Sequence, residues 1–526
     1  MLRLAEDFIL DFKKIKAGRD SWDSHWSDIA KYFYPNKDDV WGSHSAGEKK
    51  VIRVYDGSPG HYNELLASAL HSMLTNPAVN WFELTSGDIL IDRIPEVRDY
   101  LQKVTDSIHQ ALNNSNFQTQ IHEVYMDLGT FGTGVLRVLE DATNIATFTS
   151  RPIYDYYIKE NHKNIVDTCY TEEELTIRQL EQKYGKDVLD FPEAQMIKKD
   201  KDHKFKILHA IVPREDSDVG PKNKKFVSVH IIQDYKRIIH KKGFNEFPYM
   251  FPRWTKITTE KYGRSPAMTA LPDVLMLNAI MRDTIRSAQK VTDPPLMLTD
   301  DGLYGPPNTM PGGLNYRRPG SDEIKPLLTQ GQPRIGFELI TDVRQRVKEA
   351  FFIDQLQLRE GPQMTATEVN TRVDDQLRLL GPILGRLHFE LLQPLINRMV
   401  GIFKRKKLLP DNMPKELETV NLQVHYKSQI AKAQRAAEGM NLDRTLMQIG
   451  PLIQMSPEVI DVLNPDAIIR YSSRLNDIPE DILNSEEEVS QKRQYRAEQQ
   501  KAQQEQQEAL AGAEVAQKVA PMMKEG

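Results

Sequence analysis

A chain of 526 residues has length for roughly three or four domains' worth of core, which excludes a small disulfide-stapled module. Its hydrophobic fraction of 40% and charged fraction of 27% are those of a soluble globular protein, and no window approaches the roughly 18 apolar residues of a membrane span. The net charge of −5 lacks the basic footprint of a protein that grips DNA tightly through its phosphates, and the single Cys169 leaves no internal disulfide, which fits a reducing cytoplasm.

The chain opens on apolar residues interrupted by Glu6, Asp7 and Asp11, so residues 1–20 read as an amphipathic helix and not as a secretory signal. An aromatic run from Trp22 to Tyr34 follows, closed by Pro35. Asp56-Gly57-Ser58-Pro59 predicts the next helix start, with Ser58 as cap and Pro59 at the first helical position. Helical runs over 95–113 and 119–128 complete this part. From Gly129 the texture changes to β-type runs over 135–139, 146–149, 154–158, 165–170, 206–212 and 226–232. Residues 172–190 between them read as helix, and the lysine-rich stretch 198–206 as a solvated turn. The fold class expected is α+β, predominantly helical.

Pro272 predicts the start of a helix whose apolar residues Val274, Leu277, Met281, Ile285 and Ala288 recur at three and four; Asp293-Pro294-Pro295 stops it. The stretch to Pro333 is too rich in Gly and Pro for a regular helix. Periodicity returns at Ile340, Val343, Val347 and Phe351 and breaks at Glu360-Gly361-Pro362. Thr365-Ala366-Thr367-Glu368 is a capping box. It opens a stripe from Val369 through Leu380, Leu387 and Leu395 to Ile402, bent at Pro382 and Pro394. Such a stripe is expected to be too long for one chain to cover. A β-type run at 419–426, helices to about 483, and a polar Gln/Glu/Lys-rich tail from Ser485 end the sequence.

Catalytic motifs fail on inspection. Gly263-Arg264-Ser265-Pro266 is a poor nucleophile elbow, because Pro266 lacks the N–H that an oxyanion hole would use. The Gly129-Thr130-Phe131-Gly132-Thr133-Gly134 run sits between a helix and a strand, the reverse of a phosphate-binding loop, and no Walker sequence occurs. His122-Glu123 lacks the second zinc histidine, Met126 standing in its place. Lys404-Arg405-Lys406-Lys407 reads first as cations favoured at a helix C-terminus and second as a DNA patch. No catalytic residue, cofactor or metal is expected.

One ordered series of motifs carries more: Tyr55-Asp56-Gly57-Ser58-Pro59-Gly60, Asn76-Pro77-Ala78-Val79-Asn80-Trp81-Phe82, and Asp127-Leu128 running into the glycine run. Tyr262-Gly263-Arg264-Ser265-Pro266, Asp293-Pro294-Pro295 and Met364-Thr365-Ala366-Thr367-Glu368-Val369 follow. Over residues 20–480 the series resembles the head-to-tail connecting (portal) proteins of podoviruses. The resemblance implies a ring-forming portal fold: a wing region over 1–271, stem helices over 272–291 and 336–356, and a clip over 292–333. It further implies a tunnel loop over 358–364, a long kinked wing helix over 365–407, a wing/crown region over 408–484 and a crown helix or tail over 485–526.

It also implies a structural protein and no enzyme: a dodecamer at the portal vertex of the virion, assembled in the host cytoplasm, without membrane binding. Its partners would be a tail adaptor, the terminase, capsid with scaffold or internal core proteins, and double-stranded DNA passing non-specifically. Tunnel-loop residues Arg359, Glu360, Pro362 and Gln363 would line the channel; Tyr304, Arg317 and Arg318 would meet the clip's partner. The competing reading is another phage structural component, a tail adaptor or scaffold; the remote one is an enzyme of unknown type, which would be a compact monomer with a polar pocket.

Overall fold

The computed structural model describes residues 5–37, 54–88, 90–142, 144–185, 188, 203–214, 221, 223–297, 303–308, 310, 314–320, 325–326, 333–356, 380–410, 413–417, 422–426, 439, 442–449, 463–475, 484, 488–499 and 501. The chain divides into two units, residues 1–428 and 429–526.

In the first unit, helices α1 (Ala5–Ala17), α2 (Asp20–Phe33) and α3 (Ser58–Leu74) are followed by strand β1 (Phe82–Thr85) and helices α4 (Pro95–Asn113) and α5 (Phe117–Phe131). Then come β2 (Leu136–Glu140), β3 (Ala146–Ser150), β4 (Tyr156–Glu160), β5 (Val166–Thr176), helix α6 (Ile177–Tyr184), β6 (Lys204–Pro213), β7 (Phe226–Ile232), β8 (Arg237–Phe244) and β9 (Tyr249–Met250). Strands β4-β5-β6-β7-β8 form an antiparallel sheet, and β3-β2-β9 a second one.

Helix α1 is amphipathic for a reason visible in the packing. Phe8, Phe12 and Ile15 sink into one face of the five-stranded sheet against Tyr157, Tyr170, Leu208 and Val229. Burying each such side chain contributes about 1.5–3 kcal/mol. Ile177 and Leu180 of α6 cover part of the other face, over Phe205, Ile207 and Ile232. Residues 172–176 were expected to be helical; they extend β5, because Glu172 to Thr176 pair in register with Leu208 to Lys204. The same pairing makes Lys204 to Lys206 strand instead of turn. Ser58 is likewise corrected: the helix begins on it, and the Asp56 carboxylate accepts its backbone N–H at 2.9 Å.

Helix α7 (Pro266–Thr292) starts six residues before Pro272. Ser265 is its N-cap, accepting from the Met268 N–H at 3.0 Å, and Pro266 fills the first helical position. A true cap with proline at the first position outranks Pro272, which is tolerated inside the helix. Beyond it lie the short strands β10 (Leu296–Met297) and β11 (Lys325–Pro326), paired with each other, then α8 (Pro333–Ala350) and α9 (Ile353–Leu356). A single helix was expected over 336–356; it breaks at Phe352, whose φ is +60°.

Residues 380–387 are helical, 388–392 form a π-turn, and α10 (Gln393–Lys406) continues to a left-handed Lys407. The π-turn has a cause. Pro394 has no N–H to give the Glu390 carbonyl, so the ladder shifts and Gln393 donates to His388, five residues back. Leu380, Leu384, Leu387, Leu391, Leu395, Met399 and Ile402 are all buried within this chain. That overturns the expectation that the stripe needs neighbouring chains, for the part from residue 380 on; Val369, Val373 and Leu377 lie outside the described residues. Strand β12 (Gln423–Tyr426) pairs with β1, and the Tyr426 ring stacks on His388 at 4.2 Å.

In the second unit, helix α11 (Pro465–Leu475) is capped by Asn464, whose side chain accepts from Ala467, and its Asp466 meets Arg493 in a bidentate pair at 2.6 and 2.7 Å. Among the described residues no helix is long and apolar enough to cross a membrane.

Candidate functional site

Helices α7 and α8 pack as a hairpin through Leu277, Ile340 and Val343, flanked by Ile280 and Met281. Close approach is set at Gly336, where an added Cβ would stand 2.3 Å from the Thr284 hydroxyl. The hairpin is fixed to the rest of its unit by one segment singled out in the sequence, Tyr55-Asp56, which bonds both helices. The backbone N–H of Tyr55 donates to Asn278 of α7 at 2.7 Å, and Arg344 of α8 meets Asp56 at 2.8 Å. Asp56 is buried while Arg344 is 40% exposed, so solvent screens the pair from the arginine's side.

Below the first helix two glycine motifs meet. Gly132, with φ +75°, is the left-handed C-cap of α5, and the carbonyl of Gly263 would lie 2.3 Å from a Cβ built on it. The reverse holds for Gly263, 2.2 Å from the Gly132 carbonyl. Around that crossing the Gly263 N–H donates to the Thr133 hydroxyl at 2.8 Å, and Ser265 donates to the Thr130 carbonyl at 2.7 Å. Tyr262 packs edge-on against Trp26. Ser265 is thereby occupied as a cap, and the glycine run is a chain crossing with no room for a phosphate.

Other charged groups are also committed inward. Arg253, almost wholly buried, bonds both oxygens of Glu390 on the π-turn at 2.6 and 3.1 Å and also meets Glu160. Arg405 pairs with Glu140 and Glu246, and Lys406 with the Asp141 carbonyl, so these two members of the 404–407 cluster hold the end of α10. Lys37 is 2.6 Å from the buried Asp127, whose carboxyl is pushed up by burial against the pull of that lysine. Among the described residues no group of three His, Cys, Asp or Glu could hold a metal ion.

Between the hairpin helices the chain runs out into an arm. Its two sides are joined at Leu296 with Pro326 and at Leu303 with Arg317, and Tyr304 donates to the Tyr316 carbonyl at 3.1 Å. Nearer the tip Asn308 and Asn315 bond each other twice, at 2.6 and 2.9 Å. Tyr304 is 67% exposed, Tyr316, Met310 and Leu314 more so, and Arg318 lies over the Tyr304 ring at 5.7 Å. Tyr304, Arg317 and Arg318 are thus brought together on one narrow β-arm. Arg359, Glu360, Pro362 and Gln363 lie outside the described residues, as does the 364–369 motif.

What sequence reasoning missed are the exposed apolar side chains of the hairpin itself. Ile285 and Val291 of α7 and Phe337 and Leu339 of α8 are all exposed, and a groove of about 310 Å³ lies beside Gly336. The signal was available: Phe337 and Leu339 fall off the stripe Ile340, Val343, Val347.

The family model for bacteriophage head to tail connecting proteins matches residues 6–483. A probable portal protein of Bordetella phage BPP-1 is 31% identical to this chain, covering 96% of it and 93% of that protein. A portal protein of Salmonella phage epsilon15 is 29% identical over 94% of this chain and 92% of its own length.

Proposed function

The chain belongs to the bacteriophage head to tail connecting protein family, and on that premise we propose that it works as one subunit of a closed ring, dodecameric as the family resemblance implies, through which double-stranded DNA passes during packaging and ejection. As a phage head-to-tail connector it serves a structural role at the junction of capsid and tail. In this reading α7 and α8 are the stem, the arm between them is the clip, and residues 358–364 are the tunnel loop. The clip would take the tail adaptor and, during packaging, the terminase. The other end would meet capsid and scaffold or internal core proteins.

The observation that carries the reading is the hairpin: two helices rooted through Asn278 and Arg344 yet bearing large apolar side chains exposed on their flanks. A monomer leaves such side chains in water, whereas a ring covers them on every copy. Purified protein viewed by negative stain is expected to show rings with a central hole. A folded monomer at micromolar concentration would refute the ring.

A further inference from the structure

Resting on the ring reading, we propose that neighbouring copies join head to tail through the hairpin, Phe337 and Ile285 of one copy seating in the groove beside Gly336 of the next. The two flanks of the hairpin can be assigned from spacing and contacts. Residues seven apart on a helix share a flank, since two turns take about 7.2 residues. Asn278 and Arg344 both bond the Tyr55-Asp56 segment and so lie on one side. Seven residues from each stand Ile285 and Phe337, placing both exposed side chains on that same side.

The opposite side is marked by Arg346, which bonds Asp273 at 3.4 Å. Asp273, Ile280 and Ser287 are successive sevens, and Ile280 and Ser287 line the groove with Met276, Asp283 and Gly336. Leu339, seven before Arg346, stands there too. The hairpin therefore carries projecting apolar side chains on one flank and a groove on the other.

Level matters as well. Gly336 touches Thr284, so Phe337, Ile285 and the groove sit at one height along the hairpin. A rotation about the ring axis leaves height unchanged, so with the hairpin running along that axis knob and groove meet in every pair. A foreign partner would have to cover two opposite flanks separately; a second copy of this chain covers both with one contact and closes into a ring. Met276, Ala279 and Ile280 give the groove apolar walls for such an occupant, and Asp283 at its rim is exposed to water and paired with Arg282 at 2.9 Å.

The test uses the full chain. Phe337→Glu, on an exposed site that should fold normally by circular dichroism, is expected to lower the ring population at least about tenfold, and Phe337→Ala to lower it less. Mixing Phe337→Cys and Asp283→Cys chains under oxidation should give disulfide-linked pairs of one kind with the other. Neither variant alone should give them, and Cys169 is buried. Rings formed equally well by Phe337→Glu, or rings without the mixed disulfide, would overturn the pairing and leave the ring reading standing. A wild-type chain that never forms rings would sink both.

Discussion

The root of the hairpin and its arm are built on opposite principles. At the root, polar and glycine motifs are spent on internal contacts: Gly132 against Gly263, Ser265 on Thr130, Asp56 on Arg344. On the arm, large side chains such as Tyr304 and Tyr316 stand in water beside a narrow ladder. Motifs that look like chemistry in the sequence are the structural ones, and the Gly/Pro-rich stretch that looks featureless holds the exposed side chains Tyr304, Met310, Leu314 and Tyr316.

The contrast can be broken most forcefully at the root. Gly263→Ala should cost on the order of 4 kcal/mol, since its Cβ meets a backbone carbonyl that cannot step aside. Urea denaturation showing a loss under about 1 kcal/mol would mean that the crossing is looser than described.

A second effect lies in the five-stranded sheet, where His209 and His230 stack at 4.0 Å in register across β6 and β7, with His240 next on β8. Burial pushes His209 down to about 3, with Lys183, Arg137 and His240 adding to it. Burial pushes His230 down to about 2, with His209, Lys183 and His240 adding and Glu173 opposing. The unfolded chain, titrating near the ordinary 6.5, therefore takes up protons first. Stability is fully present above that value and is lost as pH falls toward about 3 and about 2, at about 1.4 kcal/mol per pH unit for each ring. His209→Gln, which keeps a hydrogen-bonding group for Ser228, should flatten the slope of unfolding free energy against pH by about that amount. An unchanged slope would place the proton uptake elsewhere.

On the arm, deleting residues 302–320 should change stability by less than about 0.5 kcal/mol while abolishing attachment of the tail adaptor or terminase. Normal tail attachment in a complementation assay would remove the arm from the partner surface. Smallest of all in stability is the double replacement Arg359→Ala with Gln363→Ala. Ring assembly should survive it, and DNA packaging or retention should change; failure of ring assembly would make these residues structural.

Legibility in the sequence followed the range of the forces. Helix α4 and strand β7 were readable to the residue because local periodicity and flanking Pro or Lys define them. Strand β8 was not: it is an edge strand, and Arg237, His240, Lys241 and Lys242 blur its alternation. Pro272 was misread as a start because the cap that decides the matter sits at Ser265, tied to Thr130 across the chain. The burial of Leu384 to Ile402 was hidden for the same reason: α10 is covered from afar, Arg398 reaching the Val138 carbonyl at 2.8 Å. Of the candidate site, the exposed trio Tyr304, Arg317 and Arg318 was legible from composition, whereas the Asp56–Arg344 tie, 288 residues apart, was not.

The π-turn at His388–Leu392 bears on how related chains should align. Such a turn spends one residue more than an α-turn over nearly the same rise. A relative with another residue in place of Pro394 can drop one position there and keep both ends of the leucine stripe in phase. A one-residue gap elsewhere in 380–406 would rotate half of that stripe by about 100° and turn Leu384 or Met399 into solvent. Insertions and deletions among family members should therefore cluster at this single bend, paired with the presence or absence of the proline.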